Sequence, residues 1–391
     1  FHGPNRSLRE VANGDVVVTT YGIVRRETNR LSELKWGLVI ADEAQSMKNR
    51  TSATARSMRK LRSKVRFALT GTPVENHLGE LWSILDWATP GLLGPASRFE
   101  ETIVQPIQRD GDADAHSRLT RMVGPFMLRR TKADPKIIPE LPPRTITDHQ
   151  VPLTTEQAAL YRAASAEILD SVRSASGMAR RGAIFKLLTA LKQVSNHPAQ
   201  YLHQDGPLPG RSGKFDLAMD LVSEIIDSGQ AVVLFTQYVT MGQLLVQGLS
   251  RITPGVEMLH GGVTLNERTR LVDSFQNKET PAMVVSLRAG GVGLNLTAAT
   301  HVIHYDRWWN PAVENQASDR VWRIGQTQPV QLHRLISSGT IEEKVAQLLE
   351  SKQMLADRVL DEANWITELD DDDLMNLIRL DDSDVIDPGG E

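Results

Sequence analysis

The sequence predicts an α/β chain built on parallel sheets, and three observations carry that reading. Short apolar, β-branched runs, clearest at residues 36–41 (WGLVIA) and 230–238 (QAVVLFTQY), are separated by stretches of helical period. Across residues 213–340 strand and helix alternate regularly enough to give a doubly wound parallel lobe. The turns that follow the strands hold the carboxylates, glycines and guanidinium groups, and open α/β sheets place ligands at the carboxyl ends of their strands.

The 391 residues suffice for two or three domains. No apolar run is long enough to span a bilayer, and no signal-peptide pattern opens the chain, so no membrane partner is expected. Cysteine is absent, which excludes disulfides, thiolate metal sites and a cysteine nucleophile, and fits a reducing compartment. The net charge is −4, but residues 361–391 hold 12 Asp and Glu against one Arg, a sum of −11, so the remaining residues sum to −4 + 11 = +7. The body is mildly basic and the tail acidic; the plainer reading of such a tail is a solvated, partly disordered end.

In chain order, residues 15–21 (DVVVTTY) read as a buried strand closed by Thr19 and Thr20. The next strand, 36–41, ends in Asp42-Glu43-Ala44-Gln45. Two carboxylates there suit phosphoryl transfer: Asp42 would hold Mg²⁺ through water and Glu43 would orient and polarise the attacking water. An Asp-Glu pair alone is equally a helix N-cap. Residues 52–66 read as a basic helix, and 65–69 as a strand ending in Thr70-Gly71-Thr72-Pro73, whose glycine and small hydroxyls allow close backbone approach and a relay toward nucleotide. The pattern turns helical from residue 75. Arg129, Arg130 and Lys132 follow in FMLRRTK, then LPPR at 141–144; these cations read equally as contacts to a partner or as an ion-paired hinge.

Residues 156–170 and 184–194 are amphipathic, and His197 reads as a turn residue rather than a ligand. GRSGKF at 210–215 lacks the spacing of a phosphate loop and puts Phe215 where a hydroxyl is required, so it reads as the opening of a helix. Strands at 230–238, 256–260 and 282–286 follow, with a Thr264-capped helix over 264–276. The run from Arg288 to Leu296 holds Gly290, Gly291 and Gly293, which free the backbone to approach a phosphate. Residues 300–305 lead through Trp308, Trp309, Asn310 and Pro311 into a helical segment with Gln316, Arg320 and Arg323. Three residues apart, the two arginines would share a helix face; guanidinium groups after a strand–turn unit suit the clamping of a transferring phosphoryl group, though alone they are equally a solvated face. Residues 341–360 read as a long amphipathic helix.

QASDRVWRIGQ after DRWWNP resembles the last helicase motif of the Swi/Snf-type family of DNA-dependent ATPases. DEAQ resembles that superfamily's Walker B box with Gln45 where His is more familiar, LTGTP at 69–73 resembles the motif after it, and the glycine run resembles its fifth motif. The resemblance covers nearly all of residues 1–345. It implies two RecA-like parallel-sheet lobes, the first incomplete, with helical protrusions between them: 1–145 for the rest of lobe one, 146–212 for linker and second protrusion, 213–365 for lobe two and 366–391 for the acidic tail. It implies ATP and Mg²⁺ as cofactors and double-stranded DNA as partner, with a protein cargo. Carried over, Asp42 and Glu43 serve hydrolysis while Arg320 and Arg323 act as fingers on nucleotide held by the opposite lobe. Gln316, Gly291, Gly293, Thr70, Gly71 and Thr72 would attend the nucleotide. Thr19, Thr20, Arg288, Gly290, Trp309, Arg129 and Arg130 would meet DNA, with a helix cap as the other reading of Thr19 and Thr20 and a core role that of Trp309. The tail would either stay solvated or compete with DNA.

The superfamily's phosphate loop has no counterpart here, and only 41 residues precede Asp42. The expectation is a chain that starts inside the first lobe and hydrolyses ATP poorly alone, within a bacterial-type DNA translocase that works as a monomer in the cytoplasm, or in the nucleus if eukaryotic. The rivals are a strand-separating helicase and a non-catalytic remnant that binds DNA or protein.

Overall fold

Every strand pair among the described residues is parallel. The computed structural model describes residues 1, 3, 6–9, 11–71, 77–128, 130, 132, 138–286, 293–354, 366, 369–381 and 385–386. One compact unit takes residues 1–129, and a second takes 130–358 with the described C-terminal residues.

In the first unit, helices α1 (Tyr21–Arg26) and α2 (Thr28–Glu33) precede β1 (Lys35–Ala41), which pairs with β2 (Arg62–Ala68) so that Leu38 faces Val65 and Ile40 faces Phe67. Between the strands lies α3 (Ala53–Lys60), started by Ser52, whose hydroxyl accepts from Ala55 N. The basic helix expected over 52–66 thus stops at Lys60, where the chain turns into β2. Ala41, Met47, Met58, Ile84 and Trp87 form the core beneath one face of the strands. The other face is open: Leu38, Ile40, Val65 and Phe67 are all exposed. Helices α4 (Leu78–Ala88), α5 (Ala96–Phe99), α6 (Gln105–Asp110) and α7 (Ala113–Val123) follow, sharing an apolar cluster that includes Leu81, Phe99 and Leu119.

The buried strand expected at 15–21 is not there. Residues 15–20 have no strand partner among the described residues, Val16 and Val18 are 87% and 74% exposed, and the helix α1 begins at Tyr21. A β-branched run fits a pleated surface only where a neighbour strand supplies its hydrogen bonds.

The second unit holds a six-stranded sheet in the order β3-β9-β8-β5-β7-β6, made of β3 (Arg144–Val151), β5 (Val232–Thr236), β6 (Met258–Leu259), β7 (Ala282–Ser286), β8 (His301–His304) and β9 (Val330–Ser337). β4 (Leu153–Thr154) belongs to a separate pair. All residues of β5 and β7 are buried, as expected of parallel strands covered on both faces. Alternate residues serve two cores: Val233, Phe235 and Val285 point into one, Val232, Leu234 and Val284 into the other. The paired helices α8 (Thr155–Ser174) and α9 (Gly177–Asn196) are followed by α10 (Pro198–Leu202) and α11 (Gly213–Asp227). His197 is the turn residue expected: its Nδ1 accepts from Ala199 N at 3.0 Å. GRSGKF does open a helix, with Ser212 accepting from Phe215 N and Lys214 buried in an ion pair with Glu342. Next come α12 (Val239–Leu249) and α13 (Leu265–Gln276), the latter capped by Thr264, then α14 (Pro311–Ser318) and α15 (Ile341–Met354).

The acidic tail is not simply a solvated end. Asp370 caps α16 (Asp371–Ile378), which buries Leu374, Leu377 and Ile378, a spacing that puts all three on one face. Arg180 pairs with Asp371 at 2.8 Å, Lys344 donates to the carbonyls of Asn376 and Arg379, and β10 (Val385–Ile386) pairs with β4. Charge composition hid three apolar residues sufficient to dock a helix.

Candidate functional site

The carboxylates lie where β1 runs out. Leu69 N donates to Ala41 O at 2.8 Å and Ala44 N to Leu69 O at 2.9 Å, so the ends of β1 and β2 are laced together. Between those bonds Glu43 adopts φ 49° and ψ 53°, a left-handed conformation that costs a non-glycine residue energy and persists where surrounding bonds impose it. Asp42 is exposed, its Oδ1 accepting from Glu43 N at 3.0 Å. Glu43 Oε2 accepts from Gln45 Nε2 at 2.6 Å, and Gln45 Oε1 accepts from Thr70 Oγ1 at 2.8 Å. A single amide therefore ties the carboxylate after one strand to the hydroxyl after the next. Tyr21 OH donates to Asp42 O at 2.8 Å; burial, aided by the Asp42 and Glu43 charges, pushes this phenol up to about 12 and keeps it a donor.

Gln45 is the residue sequence reading undervalued, treating it only as a departure that spares the carboxylates. The available signal was an amide two residues after the glutamate, with a threonine closing the adjacent strand. Thr20 caps α1 by accepting from Ile23 N at 3.3 Å, and Thr19 Oγ1 donates to Phe1 O at 3.1 Å. A Cβ at Gly71 would meet no atom within 4 Å among the described residues. Thr72, Arg129, Arg288, Gly290 and Gly291 lie outside the described residues. No group of three or more His, Cys, Asp or Glu poised to hold a metal occurs among the described residues. The donor set at Asp42 still suits Mg²⁺, which ordinarily takes one or two carboxylates and completes its shell with phosphate and water.

In the second unit, β8 is followed by a turn built from buried charge. Arg307 Nε and the Trp308 backbone N–H both donate to Glu314 Oε1 at 2.8 Å. Asp306 is fully buried, accepts from Thr236 Oγ1, Gln237 N and Asn196 Nδ2, and burial pushes its carboxyl up against the opposing pull of Lys192. Lys192, on α9, donates to Arg307 O at 3.0 Å and sits 4.1 Å from the Trp309 ring centre; burial pulls its amine down to about 8. Trp309 is thus half-buried under a cation, and Trp308 packs on the apolar core.

The arginines do not share a helix face. Gln316 lies on α14, which ends at Ser318, and Arg320 and Arg323 occupy the turns after it. Buried Gln326 explains the break. Its Nε2 donates to the carbonyls of Thr297, Ala299 and Val321, and its Oε1 accepts from Thr327 N and Gln328 N, while Gly325 turns with φ +99°. Those bonds replace a helical ladder. Leu296 N donates to Arg320 O at 2.9 Å and Arg323 Nη1 to Leu294 O at 3.1 Å, so the arginine segment and the described end of the glycine-rich run, where Gly293 has φ +53°, form one hydrogen-bonded piece. Arg130 is exposed, and Lys132 pairs with Asp319 at 3.0 Å, the ion-paired alternative of the two readings.

Residues 5–200 match the SNF2-related domain and residues 213–325 the helicase conserved C-terminal domain. The chain is 44% identical over 371 residues to the Bacillus subtilis protein YwqA, named as an ATP-dependent helicase/translocase; the match covers 94% of this chain and 40% of that protein. It is 31% identical to the ISWI chromatin-remodeling complex ATPase ISW2 of Saccharomyces cerevisiae, over 96% of this chain and 35% of that one. The chain thus spans well under half the length of these relatives. The Sulfolobus solfataricus SWI2/SNF2 ATPase core, solved in complex with double-stranded DNA, superposes with a TM-score of 0.55 at 40% identity, over 92% of this chain and 76% of that one.

Proposed function

This chain belongs to the SNF2-related family of helicase-like ATPases, and on that premise we propose that it is part of an ATP-driven motor that translocates on double-stranded DNA and remodels the protein complexes there. The observation that carries the reading is the Glu43–Gln45–Thr70 bridge beside an exposed Asp42 at the carboxyl end of a parallel strand. Glu43 orients the attacking water and takes its proton, and Gln45 holds that carboxylate in place. Asp42 would hold Mg²⁺, which when bound with ATP would neutralise phosphate charge. Arg320 and Arg323 stabilise charge developing on the transferred phosphoryl group, for which Arg323 must release the Leu294 carbonyl. Gln316, Gly71 and Gly293 attend the nucleotide. DNA is held chiefly by phosphate contacts, so binding weakens steeply with salt and shows little sequence preference. The solved Sulfolobus relative with bound duplex supports the DNA partner. The 391 residues, which contain no phosphate-loop sequence, turn over ATP slowly by themselves.

The test is ATPase activity of the full-length protein with and without duplex DNA, alongside displacement of a third strand from a triplex. Stimulation by duplex, lost in Glu43→Gln and Arg323→Ala, is the expected result. Activity indifferent to duplex in the wild type would refute the motor reading, and unwinding of a forked duplex would favour the strand-separating rival.

A further inference from the structure

The second unit begins at Arg130, and within fifteen positions the chain grips one residue from three sides. Lys132 Nζ donates to Trp322 O at 3.3 Å and pairs with Asp319 at 3.0 Å. Pro142 O accepts from Trp322 Nε1 at 2.8 Å. Arg144, the first residue of β3, lays its guanidinium 4.5 Å from the centre of the Trp322 ring. Trp322 is 8% exposed and stands between Arg320 and Arg323. Its ring face, its N–H edge and its own carbonyl are all held by residues about 180 positions away in the chain. Arg144 is itself fixed by the register of β3 on β9, where it lies opposite Val330.

We propose that Trp322, clasped by Lys132, Pro142 and Arg144, is a positioning device that sets where Arg320 and Arg323 sit. This rests on the arginine roles proposed above. On its other side the same segment is held by the Leu296 N–H on Arg320 O, a backbone bond that persists when the Arg323 guanidinium leaves Leu294, so residues 319–326 are strung between two anchors. Apolar packing alone would bury a tryptophan. An orientation-dependent cation contact and a directed N–H bond do more, because they fix the ring's angle and with it the backbone carrying both arginines. The charges agree. Lys132 and Arg144 bring positive charge beside two arginines, and Asp319 is placed among them to offset it; burial pulls the Arg144 guanidinium down while Asp319 opposes that.

The experiment compares Arg144→Ala and Arg144→Lys with wild type by steady-state kinetics on the full-length protein, and by hydrogen exchange of residues 319–326. Misplaced arginines cost transition-state stabilisation rather than binding. Arg144→Ala should therefore lower DNA-stimulated kcat about tenfold while KM for ATP stays within about twofold. Arg144→Lys, keeping the cation but not the plane, should recover part of kcat. Exchange at 319–326 should quicken in Arg144→Ala alone. Unchanged kcat with quickened exchange, or a KM that rises as kcat falls, overturns the proposal. If wild type shows no DNA-stimulated turnover, the functional reading fails and the catalytic consequence with it. Exchange in the 391-residue chain then decides the clasp separately: unchanged exchange in Arg144→Ala means that no clasp exists.

Discussion

Acidification from pH 7.5 to 4.5 should weaken the second unit through His304, and the size of the loss follows from its surroundings. The ring lies in β8, fully buried, stacked near Phe235, with Nε2 2.8 Å from Ser318 Oγ. Ser318 gives its own proton to Glu314 O at 3.0 Å, so it must accept from His304, which places the ring proton on Nε2. Nδ1 is buried with no hydrogen-bond partner among the described residues. Protonating it would bury both a charge and an unsatisfied donor, and burial accordingly pulls the imidazole down to about 4, from an ordinary value of 6.5. Between those two values the unfolded chain binds the extra proton and the folded one does not. Stability is complete above pH 6.5 and falls as pH drops toward 4. A gap of about 2.5 units corresponds to about 3 kcal/mol. Urea unfolding followed by circular dichroism at several pH values reads this directly. His304→Phe should be less stable at pH 7.5 yet lose about 2.5 kcal/mol less than wild type on acidification to pH 4.5, most of the full gap, whose remainder comes only at lower pH. Parallel losses in the two proteins would refute the assignment to His304. His333 adds to the same window: burial pulls it down to about 4, and it is tied at 3.0 Å to both His149 and His301.

Gln45→Leu removes the bridge between Glu43 and Thr70, and a bond to a charged group is worth about 1.5–3 kcal/mol, so kcat of the full-length ATPase should fall about 10- to 100-fold; a loss under about twofold would show that the bridge is idle. Lys214→Met leaves Glu342 buried without its ion-pair partner and should cost about 3–5 kcal/mol in urea unfolding, with Lys214→Met/Glu342→Gln costing less. Equal losses in single and double variants would mean that the pair is not the cause. Leu374→Ala should loosen α16 by about 2–4 kcal/mol, seen as faster proteolysis within residues 370–386, whereas an unchanged cleavage rate would contradict the docking of the acidic segment.

Features set by near neighbours were legible in the sequence. Thr264 and the GRSGKF segment begin helices where expected and His197 makes the expected turn, because a cap needs only a side chain and an amide two or three residues on. The apolar runs at β1, β5, β7 and β8 announced parallel strands, and the position of Asp42 and Glu43 at the end of one followed directly. Residues 15–21 misled because a strand needs a partner that composition does not show. The arginine pair left its expected helix because Gln326 takes carbonyls as far off as Thr297, and the tail docked through three apolar residues among many acids. Above all, Gln45 meets Thr70 across 25 positions and Lys132 meets Trp322 across 190. The chain's own pattern determined which groups could do the chemistry. Which of them touch was decided only by strand register and packing, since these alone bring distant residues within hydrogen-bond reach.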